Sequence, residues 1–193
     1  MQRTVRTFIA VEISSEIRSR ARRLIAELAP LTSGVKWVEP HNLHLTLKFL
    51  GEVEMLEIPQ VCNAVALAVA DLPPFDLHAA GAGAFPTLER PRTIWLGVDQ
   101  GVDEMVELHD ALDERLAPLG FRREPRRFRP HLTIGRVRNC SAQEIRALGQ
   151  LLLQQKDFAG GSSDVSEVIV FSSELGRDGP AYEPLSHAPL GGL

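Results

Sequence analysis

The short run Asn42-Leu43-His44-Leu45-Thr46-Leu47-Lys48-Phe49 constrains this chain most, because it returns in altered form as Pro130-His131-Leu132-Thr133-Ile134-Gly135. Both copies read His-Leu-Thr followed by an aliphatic residue, and both sit in stretches with strand composition. Side chains alternate faces along a strand, so His44 and Thr46 share one face while Leu45, Leu47 and Phe49 take the other. The same parity sets His131 beside Thr133, with Leu132 and Ile134 behind them. Each copy therefore shows an imidazole and a hydroxyl to a common space and backs them with apolar bulk. With six histidines and seven threonines in 193 residues, two His-x-Thr pairs arise by accident roughly 2% of the time. A single pair would be noise, whereas two on like faces point to a site.

The surrounding pattern predicts an α+β domain. Strands are expected over Thr4–Ile13, Val35–Val38, Leu43–Leu50 (closed by Gly51), Phe75–Ala84, Thr93–Val98, Arg129–Val137, Val165–Ser172 and Tyr182–Leu190. Helices are expected after a cap at Ser14 or Ser15, over 58–70, over 102–116, and after a cap at Ser141. Gly176–Pro180 reads as a turn. Helices follow strands, but adjacent strands also occur, which argues for largely antiparallel pairing. The motif strands lie 87 residues apart (44 to 131), each followed by a helix, so two similar lobes are expected within one domain spanning residues 1–193.

Composition excludes several classes. Apolar content of 44% and charge of 24% fit a globular protein, and no apolar run reaches the roughly 18–20 residues of a membrane helix. The first residues read as neither signal peptide nor anchor. Cys62 and Cys140 lack CxxC spacing and suit a reducing cytoplasm, not a disulfide framework or a zinc site. The net charge is −4, yet 115–138 holds eight arginines against one acid, Glu124. That run leads directly into the second motif and suits an anion-attracting rim as well as a solvated loop.

Paired histidines suggest paired acid and base. An imidazole with pKa near 6.5 accepts or donates a proton at neutral pH, so two can stand on opposite sides of a reacting centre. A threonine two residues along the same face lies about 6–7 Å away and reaches an oxygen of the group attacked. Two such hydroxyls suit phosphate oxygens. A metal is the next alternative, but no carboxylate or cysteine accompanies the histidines at ligand spacing. His78, His109 and His187 lack motif context and read as structural or exposed.

With Arg6-Thr7-Phe8-Ile9-Ala10-Val11, Trp37-Val38-Glu39-Pro40, Gly83-Ala84-Phe85-Pro86, Ile94-Trp95-Leu96-Gly97-Val98 and Tyr182-Glu183-Pro184-Leu185 around the motifs, the chain resembles the two-histidine (2H) phosphoesterase superfamily. Within it, the chain is most similar to RNA 2′,3′-cyclic phosphodiesterases, also described as 2′-5′ RNA ligases. The resemblance implies a bilobal α+β fold: two antiparallel sheets with flanking helices around a central cleft, the lobes related by a pseudo-two-fold. It implies hydrolysis of an RNA 2′,3′-cyclic phosphate to a 2′-phosphate, without metal or other cofactor, by a cytoplasmic monomer. It casts His44 as proton donor and His131 as acceptor, roles the residue types alone leave open, with Thr46 and Thr133 on phosphate oxygens. Arg136 and Phe8 would contact the nucleotide, Arg136 only if a bulge near Gly135 breaks the alternation, and Phe8 equally reads as core. Ligation by the same residues, a non-catalytic RNA-end-binding module, and a small-molecule cyclic phosphodiesterase are the competing readings.

Overall fold

A computed structural model of the chain describes residues 3–176 and 179–192. Strands β1 (Thr4–Val11), β2 (Val35–Trp37), β3 (Leu45–Glu54), β4 (Phe75–Phe85), β5 (Thr93–Gln100), β6 (His131–Val137), β7 (Ala159–Val165), β8 (Glu167–Gly176) and β9 (Gly179–Pro189) alternate with four helices. These are α1 (Ser15–Leu28), α2 (Ile58–Val69), α3 (Val102–Leu116) and α4 (Ala142–Gln154). The Ser14 hydroxyl caps α1 by accepting from the Ile17 amide, and Ser141 with Glu144 forms a reciprocal capping box on α4. Arg177 and Asp178, at the centre of the expected turn, lie outside the described residues.

The strands form one curled antiparallel sheet in the order β7-β4-β5-β6-β3-β1-β8-β9, with β2 also paired to β6. It divides into two halves, β7-β4-β5-β6 and β3-β1-β8-β9, which meet at a single residue pair, Leu45 with Leu132. Beyond that pair the far end of β6 turns to β2, Trp37 lying opposite Gly135, so the halves diverge and a cleft opens between them. The two lobes expected from sequence are these half-sheets. Neither is a contiguous segment: β1, β3, β8 and β9 build one, and β2 and β4–β7 the other.

Helices cover one face of the sheet. Ile17, Ala21, Leu24 and Leu28 of α1, and Met105, Leu108, Leu112 and Leu116 of α3, bury against Ile9, Val11, Leu45, Leu47, Ile94, Leu96, Leu132 and Ile134. Such apolar burial, about 25 cal/mol per Å², is the main source of stability. A second, smaller cluster of Phe8, Ala10, Ile169, Phe171 and Tyr182 forms on the opposite face. Strand β7 was not expected from sequence. Its Ala-Gly-Gly-Ser-Ser-Asp run is poor in strand formers and is recruited by β4, which pairs with it from Phe75–Val165 to Ala80–Ala159. Strand β3 also runs past Gly51, which adopts a positive φ of 75° within it.

The helix layer holds a buried ionic knot. Lys48, 2% exposed, forms an ion pair with Asp113 of α3 and donates to the Arg122 carbonyl at 2.9 Å. Asp113 also accepts from the Glu124 amide at 2.7 Å, so the pair ties β3 to the start of the arginine-rich loop. His109, one turn earlier on α3, donates from Nδ1 to the Leu47 carbonyl at 3.1 Å and stacks on Phe128. Asp113→Ala would strand the Lys48 ammonium and is expected to cost about 3–5 kcal/mol in urea unfolding, while the double variant Lys48→Met/Asp113→Leu loses much less. Equal losses would show that no buried charge is involved.

Candidate active site

Both motif strands carry the same irregularity. Thr46 lies opposite Ala10 but Lys48 opposite Ile9, so Leu47 is an extra residue in β3. Thr133 lies opposite Trp95 but Gly135 opposite Ile94, so Ile134 is the extra residue in β6. Each bulge follows its threonine directly and turns two consecutive side chains to the helix face. Leu47 and Lys48 are both buried, and so are Ile134 and Gly135. At Gly135 a Cβ would stand 2.8 Å from the Trp37 ring and 2.9 Å from Val35, which excludes a larger residue.

The bulges re-aim the next residue of each strand. Phe49, expected behind the motif with Leu45 and Leu47, is instead 59% exposed, its ring centroid 6.0 Å from that of Phe8. Arg136, placed off the face by strict alternation, is likewise thrown to the cleft side. Its guanidinium acts on His44, His131 and Tyr182 together. Phe49 and Arg136 stand five residues after their histidines, one lobe contributing an aromatic ring and the other a fixed cation.

The seam brings the motifs face to face. Leu45 opposite Leu132 in an antiparallel pair sets His44 across from Thr133 and Thr46 across from His131. Each ring is held alike: His44 Nδ1–H donates to the Asn42 carbonyl at 2.8 Å, and His131 Nδ1–H to the Arg129 carbonyl at 2.8 Å. That bond fixes the tautomer and leaves Nε2 of each ring to act on the cleft. Aromatic groups brace both. Phe8 stacks on His44 with centroids 4.8 Å apart, Tyr182 meets it edge-on at 5.2 Å, and Phe85 meets His131 edge-on at 5.0 Å.

Phe8 itself is only 3% exposed, between His44 and Phe171. It supports the imidazole and offers no open face to a base, a correction to its expected nucleotide contact. The exposed ring is Phe49, which sequence parity hid; the equal five-residue offset from each histidine was the available signal. Among the described residues no group of three or more His, Cys, Asp and Glu side chains gathers to hold a metal. His78 pairs with Asp99 and His187 with Glu167, away from the motifs.

Burial pushes the His44 imidazole down to about 4, opposed by the Asn42 carbonyl and reinforced by Arg136. Burial and Arg136 also hold His131 below the usual histidine range, against the Arg129 carbonyl. Both rings are therefore neutral at pH 7 in the empty cleft, and an anion lying between them favours their charged forms. An NMR titration should find both below pH 6.5, His44 near 4, and inorganic phosphate should raise both. A His44 titrating above 6.5 in the empty protein would contradict this electrostatic picture.

The 2′-5′ RNA ligase superfamily model matches residues 13–177. An RNA 2′,3′-cyclic phosphodiesterase of Methanothermobacter thermautotrophicus is 36% identical over 178 residues, covering 92% of this chain and 95% of that protein. Crystal structures of TT0787 of Thermus thermophilus (TM-score 0.81, 26% identity, 97% of this chain and 98% of that one) and of E. coli LigT complexed with 3′-AMP (0.77, 28%, 97% and 99%) share the fold.

Proposed function

The chain belongs to the 2′-5′ RNA ligase superfamily, and from that premise we propose that it hydrolyses RNA 2′,3′-cyclic phosphate ends to 2′-phosphates by paired-histidine catalysis. The observation that carries the reading is the matched anchoring of the two imidazoles, each Nδ1 tied to the carbonyl two residues upstream and each Nε2 left to the cleft. Binding alone asks for no such pair. The relatives matched over most of their length carry the same activity in their names, which supports an RNA end as substrate. No helix among the described residues is long and apolar enough to cross a membrane.

In this mechanism the cyclic phosphate sits between His44 and His131. His131 takes a proton from water, whose oxygen attacks phosphorus. The P–O3′ bond breaks opposite the entering oxygen, and O3′ leaves with the proton of the His44 imidazolium, giving a 2′-phosphate and a free 3′-hydroxyl. Thr46, Thr133 and Arg136 hold the non-bridging oxygens as charge builds on them. Phe49, exposed beside Phe8, offers the base of the cyclic-ended nucleotide a stacking face. Because His44 is neutral in the empty cleft, the anionic substrate promotes the proton uptake that makes it an acid. The residues need no metal for any of these steps.

His44→Ala and His131→Ala should each lower turnover of a cyclic-phosphate-ended oligonucleotide at least about 10²–10⁴-fold with the fold intact by circular dichroism. Thr133→Val should lose about 10²-fold in kcat, and EDTA should leave the wild-type rate unchanged. Retained turnover in both histidine variants would sink the mechanism. The pH profiles carry a sign. The acid must be charged in the free enzyme for kcat/KM, and both histidines lie below 6.5, so kcat/KM should peak below pH 6.5 and fall as pH rises. The bound phosphate raises both, so the kcat profile should shift to higher pH. A kcat/KM maximum above pH 7 would exclude these histidines as the titrating pair.

A further inference from the structure

His109 of α3 is an imidazole only 2% exposed, and the steps of hydrolysis do not use it. We propose that it is a positioning residue that couples the two motifs, holding the bulge behind Thr46 with its N–H and the loop that anchors His131 with its ring face. What it positions rests on the hydrolytic reading above, whereas the coupling itself can be tested without turnover.

One contact lies in the half-sheet of His44. Leu47, the extra residue of the β3 bulge, has no residue opposite it in β1, and a bulged residue is left out of the ladder. Its carbonyl accepts from His109 Nδ1–H at 3.1 Å. Leu47 follows Thr46 directly and precedes Phe49 by two. A bond to its carbonyl therefore fixes the point at which the strand turns the threonine to the cleft and the aromatic ring outward. Burial holds the His109 imidazole below the usual histidine range, with Lys48 and against Asp113, Glu124 and Asp110. At pH 7 it is neutral, and its one proton sits on the nitrogen that faces that carbonyl.

The other contact lies in the loop that leads to the second motif, where residues 121–130 form neither helix nor strand. Lys48 and Asp113 hold the start of this loop through the Arg122 carbonyl and the Glu124 amide. Its end is held by Phe128, whose ring stacks on His109 with centroids 4.4 Å and planes 17° apart. The next residue is Arg129, whose carbonyl accepts from His131 Nδ1–H. The two imidazole anchors thus differ in support. Asn42 is 7% exposed, its amide bonded to the Glu39 carbonyl and its side chain to the Pro180 carbonyl, both at 2.8 Å. Arg129 sits in the irregular loop, so the second anchor is the one that needs an outside hold.

One side chain makes both contacts because imidazole is at once an aromatic ring and an N–H donor. Asparagine would place a donor near the position of Nδ1 but has no ring, and phenylalanine would stack but cannot donate. The half-sheets share one ladder pair, Leu45 with Leu132. His109 adds a second tie between them, made from the helix face behind the cleft.

The test combines turnover of a cyclic-phosphate-ended oligonucleotide by the full chain with NMR of the imidazole nitrogens, which reports each tautomer. In the wild type His44 and His131 should both carry the proton on Nδ1. His109→Asn keeps the donor and removes the ring. His131 should then lose its tautomer preference while His44 keeps its own, and kcat should fall about 10–10²-fold. His109→Phe keeps the ring and removes the donor, so His131 should keep its tautomer and kcat/KM should fall about tenfold through Thr46 and Phe49. Phe128→Leu, at a half-buried loop position, keeps the test open if the buried variants misfold. It should reproduce His109→Asn, and the two changes together should lose no more than either alone. An unchanged His131 tautomer in Phe128→Leu would overturn the coupling, as would multiplied losses in the double variant. So would variants that melt earlier yet keep the wild-type kcat when folded, since His109 would then be core and nothing more. A wild type that hydrolyses no cyclic end would remove the hydrolytic reading and the positioning role with it, while the tautomers still decide the coupling.

Discussion

Everything in the cleft depends on one antiparallel contact, Leu45 against Leu132. It is the sole paired position between two half-sheets that otherwise diverge, and it lies one residue from each catalytic candidate. Register on a strand is all-or-none with respect to faces, since a one-residue slip exchanges every side chain between them. Two buried leucines at the seam therefore do more than fill the core. Their burial against the helices keeps both histidines and both threonines on the open side, and their opposition sets each imidazole across from the other motif's hydroxyl.

Much of this was legible in the chain. Alternation alone placed His44 with Thr46 and His131 with Thr133, because the pattern over those residues precedes either bulge. It failed directly after Thr46, turning Lys48 inward and Phe49 outward, since a bulge costs one residue of register and leaves no mark in composition. The same device rescues Arg136, whose position made sense only if β6 was interrupted. Lys48 was unreadable for a second reason as well: a lysine in an amphipathic strand is ordinarily solvated, and its partner Asp113 lies 65 residues away on a helix. Phe8 read equally as a nucleotide contact and as core, and only the packing shows that its faces are taken by His44 and Phe171. Strand β7 escaped because its pairing with β4 supplies what its residues lack.

The electrostatics of the cleft arise from placement and not from net charge. Acids outnumber bases overall, yet the arginine-rich run is held beside His131 by the Lys48–Asp113 pair, whose hydrogen bonds end on the backbone of residues 122 and 124. Burial meanwhile lowers the pKa of both imidazoles. The cleft thus presents fixed cations at its rim and titratable ones at its centre. A fixed cation attracts a diffusing anion at a distance, whereas an imidazole held neutral by burial is favoured in its charged form by an anion seated beside it.

The interleaving of the two half-sheets has a consequence for how the protein is made. During synthesis the chain emerges from its N-terminal end and domains fold as units. His44 emerges early, but the rings that complete the packing around Phe8, Phe171 on β8 and Tyr182 on β9, come more than a hundred residues later. Strand β1 must therefore wait, with one edge unpaired, while almost the whole of the other half-sheet is produced. A nascent chain therefore holds both motifs before it holds β8 and β9, the strands that complete the half-sheet around His44.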